Sequence, residues 1–249
     1  MSGVTSDLRD GIRTIEFFHE RGNSLPASSL RALADAFHQA GSDPSTRAVV
    51  LRSRGEGAFC GGASFDELLA VKSESQGEEF FMGFARLILA MRSCPKFIVT
   101  RVQGKVVGGG VGVVAASDYA VAHASASLRL SELALGIGPF VVGPVIERKI
   151  GPGAFSQMAI DTEWRTASWA KERGLYAEVY DRVEDLETIV GEMALKFSRM
   201  SHAATSTLKT ALYEGTDHWT TLLETRAAIS GRLVLTPEAR AIIEGLSKR

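Results

Sequence analysis

The sequence has little cysteine and no marked excess of charge of either sign. Its 249 residues include two cysteines, and the formal net charge is -1. Cys60 and Cys94 lack the spacing of metal ligands, so no bound metal is expected and a reduced, cytoplasmic setting is the default. A protein that binds nucleic acid through its backbone phosphates usually carries a clear basic excess, so no nucleic-acid partner is expected.

Long apolar runs are also missing. No stretch reaches the length of a membrane span, which predicts that the chain has no membrane partner. The first residues, "MSGVTSDLRDG", are polar and of mixed charge. They contain neither the apolar core of a secretory signal nor the Arg-rich pattern of a transit peptide, which again favours a cytoplasmic location.

The composition is ordinary for a globular protein: 45% of the residues are hydrophobic and 23% are charged. Strand-like and helix-like segments alternate for roughly 180 residues, which predicts a mostly parallel sheet with crossover helices. From Leu186 onward the pattern is helical. We therefore expect an α/β core over residues 1–185 and a helical region over 186–249. The predicted strands are residues 11–18, 48–53, "KFIVTRVQG", "YAVAH" and "ASLRLSEL". One helix is predicted to begin near Pro26, a second to span Phe80 to Met91 before Pro95, and a third to end at about Ile160. Further helices are predicted from Leu186 onward.

The segment "GKVVGGGVGVVAASD", residues 104–118, is unusually rich in glycine. It is not a phosphate-binding loop, because Val99 and Val106 occupy positions that require Gly and Ser or Thr. It is not a dinucleotide fingerprint, because Val113 stands where the third glycine belongs. Two interpretations stay open: the glycines allow a buried helix to pack closely, or they expose backbone amides to a ligand.

A second glycine-rich segment, "AFCGGASFDEL" (residues 58–68), also follows a predicted strand. Two glycine-rich turns beside the same sheet could each direct a backbone amide toward one ligand atom, and paired amides stabilise an oxyanion. These two segments, followed by "ASLRLSELALGIGP", resemble in order and spacing the crotonase, or enoyl-CoA hydratase/isomerase, superfamily. The resemblance covers about residues 8–180.

The resemblance implies a crotonase-like α/β fold, a spiral of strand-strand-helix units with a C-terminal helical region at subunit contacts of a homotrimer or a dimer of trimers. It implies an acyl-CoA substrate carried as a coenzyme A thioester and no permanently bound cofactor. The amides of Ala63 and Gly109 would form the oxyanion hole for the thioester carbonyl, and Glu132 would be the acid/base. Residues expected to contact coenzyme A are Phe59, Gly61, Ala63, Phe65, Gly108 and Gly109.

The sequence departs from the family pattern where family hydratases carry another glutamate. That position is Gly112, the usual Asp after Ala63 is Ser64, and "GPFVVGP" replaces a Pro-Gly-Gly-Gly turn. Phe140 stands where dienoyl-CoA isomerases of the family carry Asp. One carboxylate suffices to move a proton between Cα and Cγ, whereas hydration needs a base and an acid. We therefore favour double-bond isomerisation of an enoyl-CoA; the alternatives are enoyl-CoA hydration in fatty-acid or branched-chain breakdown, acyl-CoA decarboxylation, and a non-catalytic CoA-binding homologue.

Glu132 is flanked by Leu130, Leu133 and Leu135, and burial among them would raise its pKa. The plainer interpretation is a surface carboxylate at a strand end. Other candidates favour structural roles. We expect Glu147 on a solvated helix face, His123 at a strand end, His202 and His218 in the helical region with Trp219 packed inward, and Cys60 as a packing residue.

Overall fold

A computed structural model describes the backbone of residues 2–247 and the side chains of residues 3–246. Strands and helices alternate up to residue 180, and the chain is helical after that. The strands are β1 (Ser2–Arg9), β2 (Ile12–His19), β3 (Ala48–Ser53), β4 (Ile98–Val102), β5 (Val106–Val107), β6 (Tyr119–His123), β7 (Leu128–Arg129) and β8 (Glu178–Tyr180). The helices are α1 (Ala27–Ser42), α2 (Phe65–Ala70), α3 (Glu74–Ser93), α4 (Gly109–Ala115), α5 (Gly143–Asp161), α6 (Ala167–Glu172), α7 (Val183–Ser198), α8 (His202–Leu212), α9 (Trp219–Leu233) and α10 (Pro237–Ser247), with a 3-10 helix at Leu133–Leu135.

Six strands form the main sheet in the order β1-β2-β3-β4-β6-β8. The β1–β2 pair is antiparallel, and every other pair in this sheet is parallel. The central strands β3 and β4 are almost wholly buried because helices cover both faces of the sheet, which explains their near-continuous apolar sequences. The predicted mostly parallel α/β sheet is confirmed.

The helical region packs onto the α/β core. Helix α7 lies against β3, β4 and β6, while α9 lies along α3. The α3–α9 contact is close because glycines face each other: a Cβ at Gly77 would lie 2.7 Å from Cα of Gly231. The predicted division of the chain at residues 185 and 186 stays a prediction.

A second, smaller sheet lies beside the main one and consists of β5 and β7, paired in parallel. Single bridges extend it on both sides, from Cys60 to Val106 and from Leu128 to Arg165. Main-chain hydrogen bonds hold the strip together: the amide of Val107 donates to the carbonyl of Cys60, and the amide of Gly108 donates to that of Arg129, both at 2.9 Å. Three distant parts of the sequence are thereby placed side by side.

The structure corrects the sequence analysis at one strand and adds three others, β1, β5 and β8. The predicted strand "ASLRLSEL" is limited to β7, because Glu132 adopts helical dihedral angles (φ -63, ψ -40) and begins the 3-10 helix. Strand β1 was not predicted; it is a polar edge strand with few buried side chains, so its sequence carries little apolar alternation. Strands β5 and β8 are two and three residues long, too short to give a periodic pattern.

Within residues 2–247, no helix combines the length and apolar character needed to cross a bilayer. The same residues contain no group of three or more His, Cys, Asp or Glu side chains placed to hold a metal ion.

Candidate active site

A cavity of about 250 Å³ lies where the small sheet meets α3, α4 and the segment after β7. Its lining is mostly apolar, with a few polar groups on one side, as is common for small-molecule sites. The lining residues are Gly61, Gly62, Ala63, Phe65, Leu68, Phe81, Phe84, Val107, Gly108, Gly109, Arg129, Ser131, Glu132, Leu135, Ile137, Gly138, Pro139, Phe140, Val141, Val142, Ser230 and Leu246.

The cavity brings together Ala63, Gly109 and Glu132, the residues predicted to do the chemistry. Each follows one member of the small parallel sheet by a few residues, after Cys60, Val106–Val107 and Leu128–Arg129. Parallel strands direct their carboxyl ends to one edge, so the segments that leave them meet there. Neither the amide of Ala63 nor that of Gly109 donates a hydrogen bond within the described part of the chain, so both are available to a ligand.

Gly108 links β5 to α4 in a conformation that a side chain would strain, with φ 54 and ψ -120. A Cβ at this position would also lie 3.0 Å from Oε1 of Glu132. Glycine therefore serves two purposes here: it allows the turn that starts α4 at Gly109, and it lets the carboxylate of Glu132 approach the backbone of that turn.

The next glycines are required by packing. A Cβ at Gly109 would clash with the ring of Phe84, and one at Gly110 would lie 2.7 Å from Cβ of Cys60. At Gly112 an added Cβ would lie 2.6 Å from Cγ1 of Val142. The packing interpretation of the glycine-rich segment is therefore confirmed. Gly109 also lines the cavity, and the role of its amide in binding a ligand stays a prediction.

Glu132 is the one carboxylate among the described residues that line this cavity. Its Oε2 is buried and, among those residues, has no hydrogen-bond partner. Burial raises the pKa of Glu132 to about 7, and hydrogen bonds from nearby backbone and the charge of Arg129 oppose the shift. The expected burial of Glu132 among three leucines is correct for two of them. Leu130 and Leu135 are buried, but Leu133 is 49% exposed because the 3-10 helix turns it outward.

The residues expected to contact coenzyme A divide into two groups. Gly61, Phe65 and Gly108 line the cavity with Ala63 and Gly109. Phe59 does not line it. Its ring is fully buried in the core, edge-on to Phe17 with centroids 5.4 Å apart. These roles in CoA binding stay predictions.

The other candidates lie outside the cavity. Glu147, His202 and His218 are exposed, and His123 ends β6, where its Nε2 lies 3.0 Å from the carbonyl oxygen of Asp181. Trp219 is buried, as expected. Cys60 is a free, buried thiol, and burial raises its pKa to about 12, so it lacks the thiolate that a nucleophile requires.

Sequence reasoning missed four residues that shape the cavity. Phe84 and Val142 fill the space beside Gly109 and Gly112, while Arg129 and Ser131 line the cavity on either side of Leu130. The alternation in "SLRLSEL", with polar residues at 129 and 131 between buried leucines, was the available signal for the second pair. Nothing in the sequence indicated the first pair, because they are distant partners brought in by the fold.

Comparisons with known proteins agree with this architecture. Residues 7–248 match the family model described as enoyl-CoA hydratase/isomerase, so the match includes the helical region. The chain is 30% identical over 197 residues to YngF of Bacillus subtilis, covering 79% of this chain and 75% of YngF. It is 34% identical over 135 residues to a (7aS)-7a-methyl-1,5-dioxo-2,3,5,6,7,7a-hexahydro-1H-indene-carboxyl-CoA hydrolase of Rhodococcus jostii. That match covers 54% of this chain and 52% of the hydrolase, so the chain spans about half the length of that relative.

Solved structures extend the likeness to nearly the whole fold. An enoyl-CoA hydratase from Bacillus halodurans superposes with a TM-score of 0.90 at 21% identity, covering 97% of this chain and 99% of that one. An enoyl-CoA hydratase from Mycobacterium avium subsp. paratuberculosis gives a TM-score of 0.87 at 24% identity, covering 99% and 96%. At these identities, the structural likeness shows the fold alone.

Proposed function

The chain belongs to the enoyl-CoA hydratase/isomerase family, the crotonase superfamily, and from that premise we propose that it isomerises the double bond of an enoyl-CoA thioester with Glu132 as its single acid/base. The observation that carries the proposal is the charge content of the cavity. Glu132 is its one carboxylate among the described residues, and its raised pKa suits proton exchange near neutral pH.

The proposed reaction begins with a 3-enoyl-CoA whose thioester oxygen accepts hydrogen bonds from the amides of Ala63 and Gly109. The Glu132 carboxylate removes a proton from Cα, and the electron pair moves onto the thioester oxygen to give a dienolate. The amides stabilise the negative charge; one such donor is worth roughly 3–4 kcal/mol in acyl-transfer enzymes. Protonated Glu132 then returns the proton at Cγ, which leaves the 2-enoyl-CoA and restores the carboxylate.

The surroundings of Gly112 support isomerisation over hydration. Family hydratases carry a further glutamate at this position, and here Val142 fills the space that its first side-chain atom would need. Hydration places a hydroxyl on Cβ and a proton on Cα, which suits two carboxylates. A cavity with one carboxylate and an apolar wall suits proton transfer between two carbons of the same substrate.

The test measures how fast the purified protein converts each of two substrates. We expect 3-hexenoyl-CoA to be converted to the 2-enoyl product, and crotonyl-CoA to be hydrated far more slowly. Glu132→Gln should lower isomerisation by about 10²–10⁴-fold, the usual contribution of a general acid/base. The wild-type rate should rise with pH and level off above about 7, because the reacting form of Glu132 is the carboxylate.

Other outcomes assign other functions. Efficient hydration of crotonyl-CoA with little isomerisation would contradict the proposal. Binding of both thioesters without turnover would indicate a CoA-binding homologue. As a matched control, Glu147→Gln changes an exposed carboxylate on α5 and should leave the rate unchanged.

A further inference from the structure

Arg129 is a cation at the same cavity, and the isomerisation proposed above gives it no task. Its side chain lines the cavity together with Glu132 and Ser131. It also lines an adjoining space of about 380 Å³ under α10, so it stands at the boundary between the two. The remaining lining is mainly apolar, which makes an arginine here costly unless something pairs with it.

Among the residues that the structure describes, the guanidinium of Arg129 has no polar partner. Its Nε is buried, and no hydrogen bond or ion pair joins the group to any residue that the structure describes. It does not form an ion pair with Glu132, although its charge lowers the pKa of that carboxyl. A planar group with up to five donors therefore belongs to a residue of the cavity lining and has its hydrogen-bonding capacity unused.

The position of the guanidinium is fixed by an aromatic ring. Its central carbon lies 5.0 Å from the centroid of Trp164, a cation–π distance. Such stacking leaves the edge of the guanidinium available, and the edge is the part that binds a carboxylate with two parallel hydrogen bonds. The ring thus holds Arg129 beside Glu132 without neutralising either charge.

Resting on the proposed function, we propose that the substrate is an enoyl-CoA whose acyl chain ends in a carboxylate, and that Arg129 binds this carboxylate. The apolar walls contact the methylene groups of such a chain. Arg129 pairs with its terminal anion, while Glu132 acts on the carbons near the thioester. The inference concerns the class of substrate, a dicarboxylic acyl-CoA, and makes Arg129 a specificity-determining residue.

The experiment uses two substrates that differ only at the far end, 3-hexenoyl-CoA and 3-hexenedioyl-CoA. We expect the wild-type protein to have a higher kcat/KM for the dicarboxylic thioester. Arg129→Gln should lower kcat/KM for 3-hexenedioyl-CoA by about 10- to 100-fold more than it lowers kcat/KM for 3-hexenoyl-CoA, the range for losing charge-assisted hydrogen bonds. Arg129→Lys should fall between, since lysine keeps the charge but not the two-pronged geometry.

Lys105 provides a matched control. Its Nζ lies 5.4 Å from the centroid of the same Trp164 ring, but the side chain is exposed and does not line the cavity. Lys105→Gln removes one positive charge near the same tryptophan and should leave the preference between the two substrates unchanged.

Two outcomes would overturn the inference. One is a wild-type protein that prefers the neutral thioester or has no preference. The other is an Arg129→Gln variant that loses activity equally on both substrates, which would mean that Arg129 acts by setting the pKa of Glu132. Both substrates use Glu132 as the base, so a change in its pKa alters both kcat/KM values equally and leaves their ratio unchanged. Loss of a carboxylate-binding site changes the ratio.

A binding measurement separates failure of the inference from failure of the proposed function. If neither thioester is turned over, calorimetric Kd values for adipyl-CoA and hexanoyl-CoA decide the matter. Tighter binding of adipyl-CoA that Arg129→Gln removes, with Lys105→Gln unaffected, supports the carboxylate site even if isomerisation is wrong. Equal Kd values for the two thioesters would rule the site out.

Discussion

Two walls of the cavity differ in how they are built. The backbone wall, residues 108–112, is mostly glycine, and its first two residues line the cavity. The side-chain wall, residues 129–132, presents a guanidinium, a hydroxyl and a carboxylate. In the backbone wall, neighbouring side chains occupy the space that a Cβ on the glycines would need. In the side-chain wall, burial raises the pKa of Glu132. A change in the backbone wall should therefore act through geometry, and a change in the side-chain wall through charge.

Among changes to the backbone wall, the largest effect should come from Gly109→Ala. The new Cβ would clash with the ring of Phe84 and push the start of α4 away from the cavity. Loss of one oxyanion donor costs about 10²–10³-fold in rate, and kcat for 3-hexenoyl-CoA should fall by a similar factor.

Gly191→Ala is the matched control, because it adds a methyl group to an exposed position of α7 with no atom within 4 Å. It should keep full activity and raise the free energy of unfolding by about 0.5–1 kcal/mol. Full activity in Gly109→Ala would mean that this amide is not part of the reaction.

A change to the side-chain wall should give a pH-dependent stability difference. Burial raises the pKa of Glu132 from 4.5 to about 7, so the native state keeps its proton in a range where the unfolded chain has lost it. The stability that this carboxyl contributes is complete below pH 4.5 and is lost as pH rises through about 7. The free energy of unfolding of Glu132→Gln should thus rise by about 3 kcal/mol relative to that of the wild type between pH 4.5 and pH 8, measured by urea unfolding.

Parallel pH profiles of wild type and Glu132→Gln would contradict this prediction, since they would mean that the carboxyl is as well solvated in the native state as in the unfolded chain. The same measurement on Glu147→Gln, an exposed site, should give parallel profiles.

A smaller effect is expected from Gly112→Ala, which tests the packing against Val142. An added Cβ would lie 2.6 Å from Cγ1 of Val142, and overpacking of this kind costs about 1–3 kcal/mol. Val142→Gly removes both Cγ1 and Cβ, the two atoms that the added Cβ would meet, so the double variant should be more stable than the sum of the two single changes predicts. Additive free energies of unfolding would mean that the two positions do not meet.

The smallest effect should come from Cys60, whose side chain packs against Gly110 behind the backbone wall. Because burial raises the pKa of its thiol to about 12, iodoacetamide should leave it unmodified in the folded protein and label it in urea. Cys60→Ala should keep kcat within about threefold of the wild type. Rapid labelling of Cys60 in the native protein with loss of activity would contradict the prediction, because it would mean that a reactive side chain lies at the backbone wall.

The sequence predicted the parts of the molecule that local pattern determines. Strands β2, β3, β4 and β6 are apolar and β-branched, and the structure places them within a few residues of the predicted ranges. Strand β1 escaped because an edge strand needs few buried side chains, and the strand predicted through Glu132 was too long because the chain turns into a 3-10 helix there.

The parts of the site that belong to sequence motifs could be predicted, and the contacts between residues distant in sequence could not. Ala63, Gly109 and Glu132 belong to three recognisable segments, and the structure places all three at one cavity. Val142 opposite Gly112 and Trp164 beside Arg129 are contacts between residues tens of positions apart. Such contacts follow from the tertiary fold, which a one-dimensional pattern does not contain.

The small sheet has a consequence for protein engineering. Its ladder joins residues 60, 106, 128 and 165 by peptide groups alone, so the alignment of the three loops does not depend on which side chains they carry. Positions 129 and 131 could therefore be randomised in a library while the frame stays in place. Variants selected on different thioesters would show how many acyl preferences a single arrangement of peptide bonds can support.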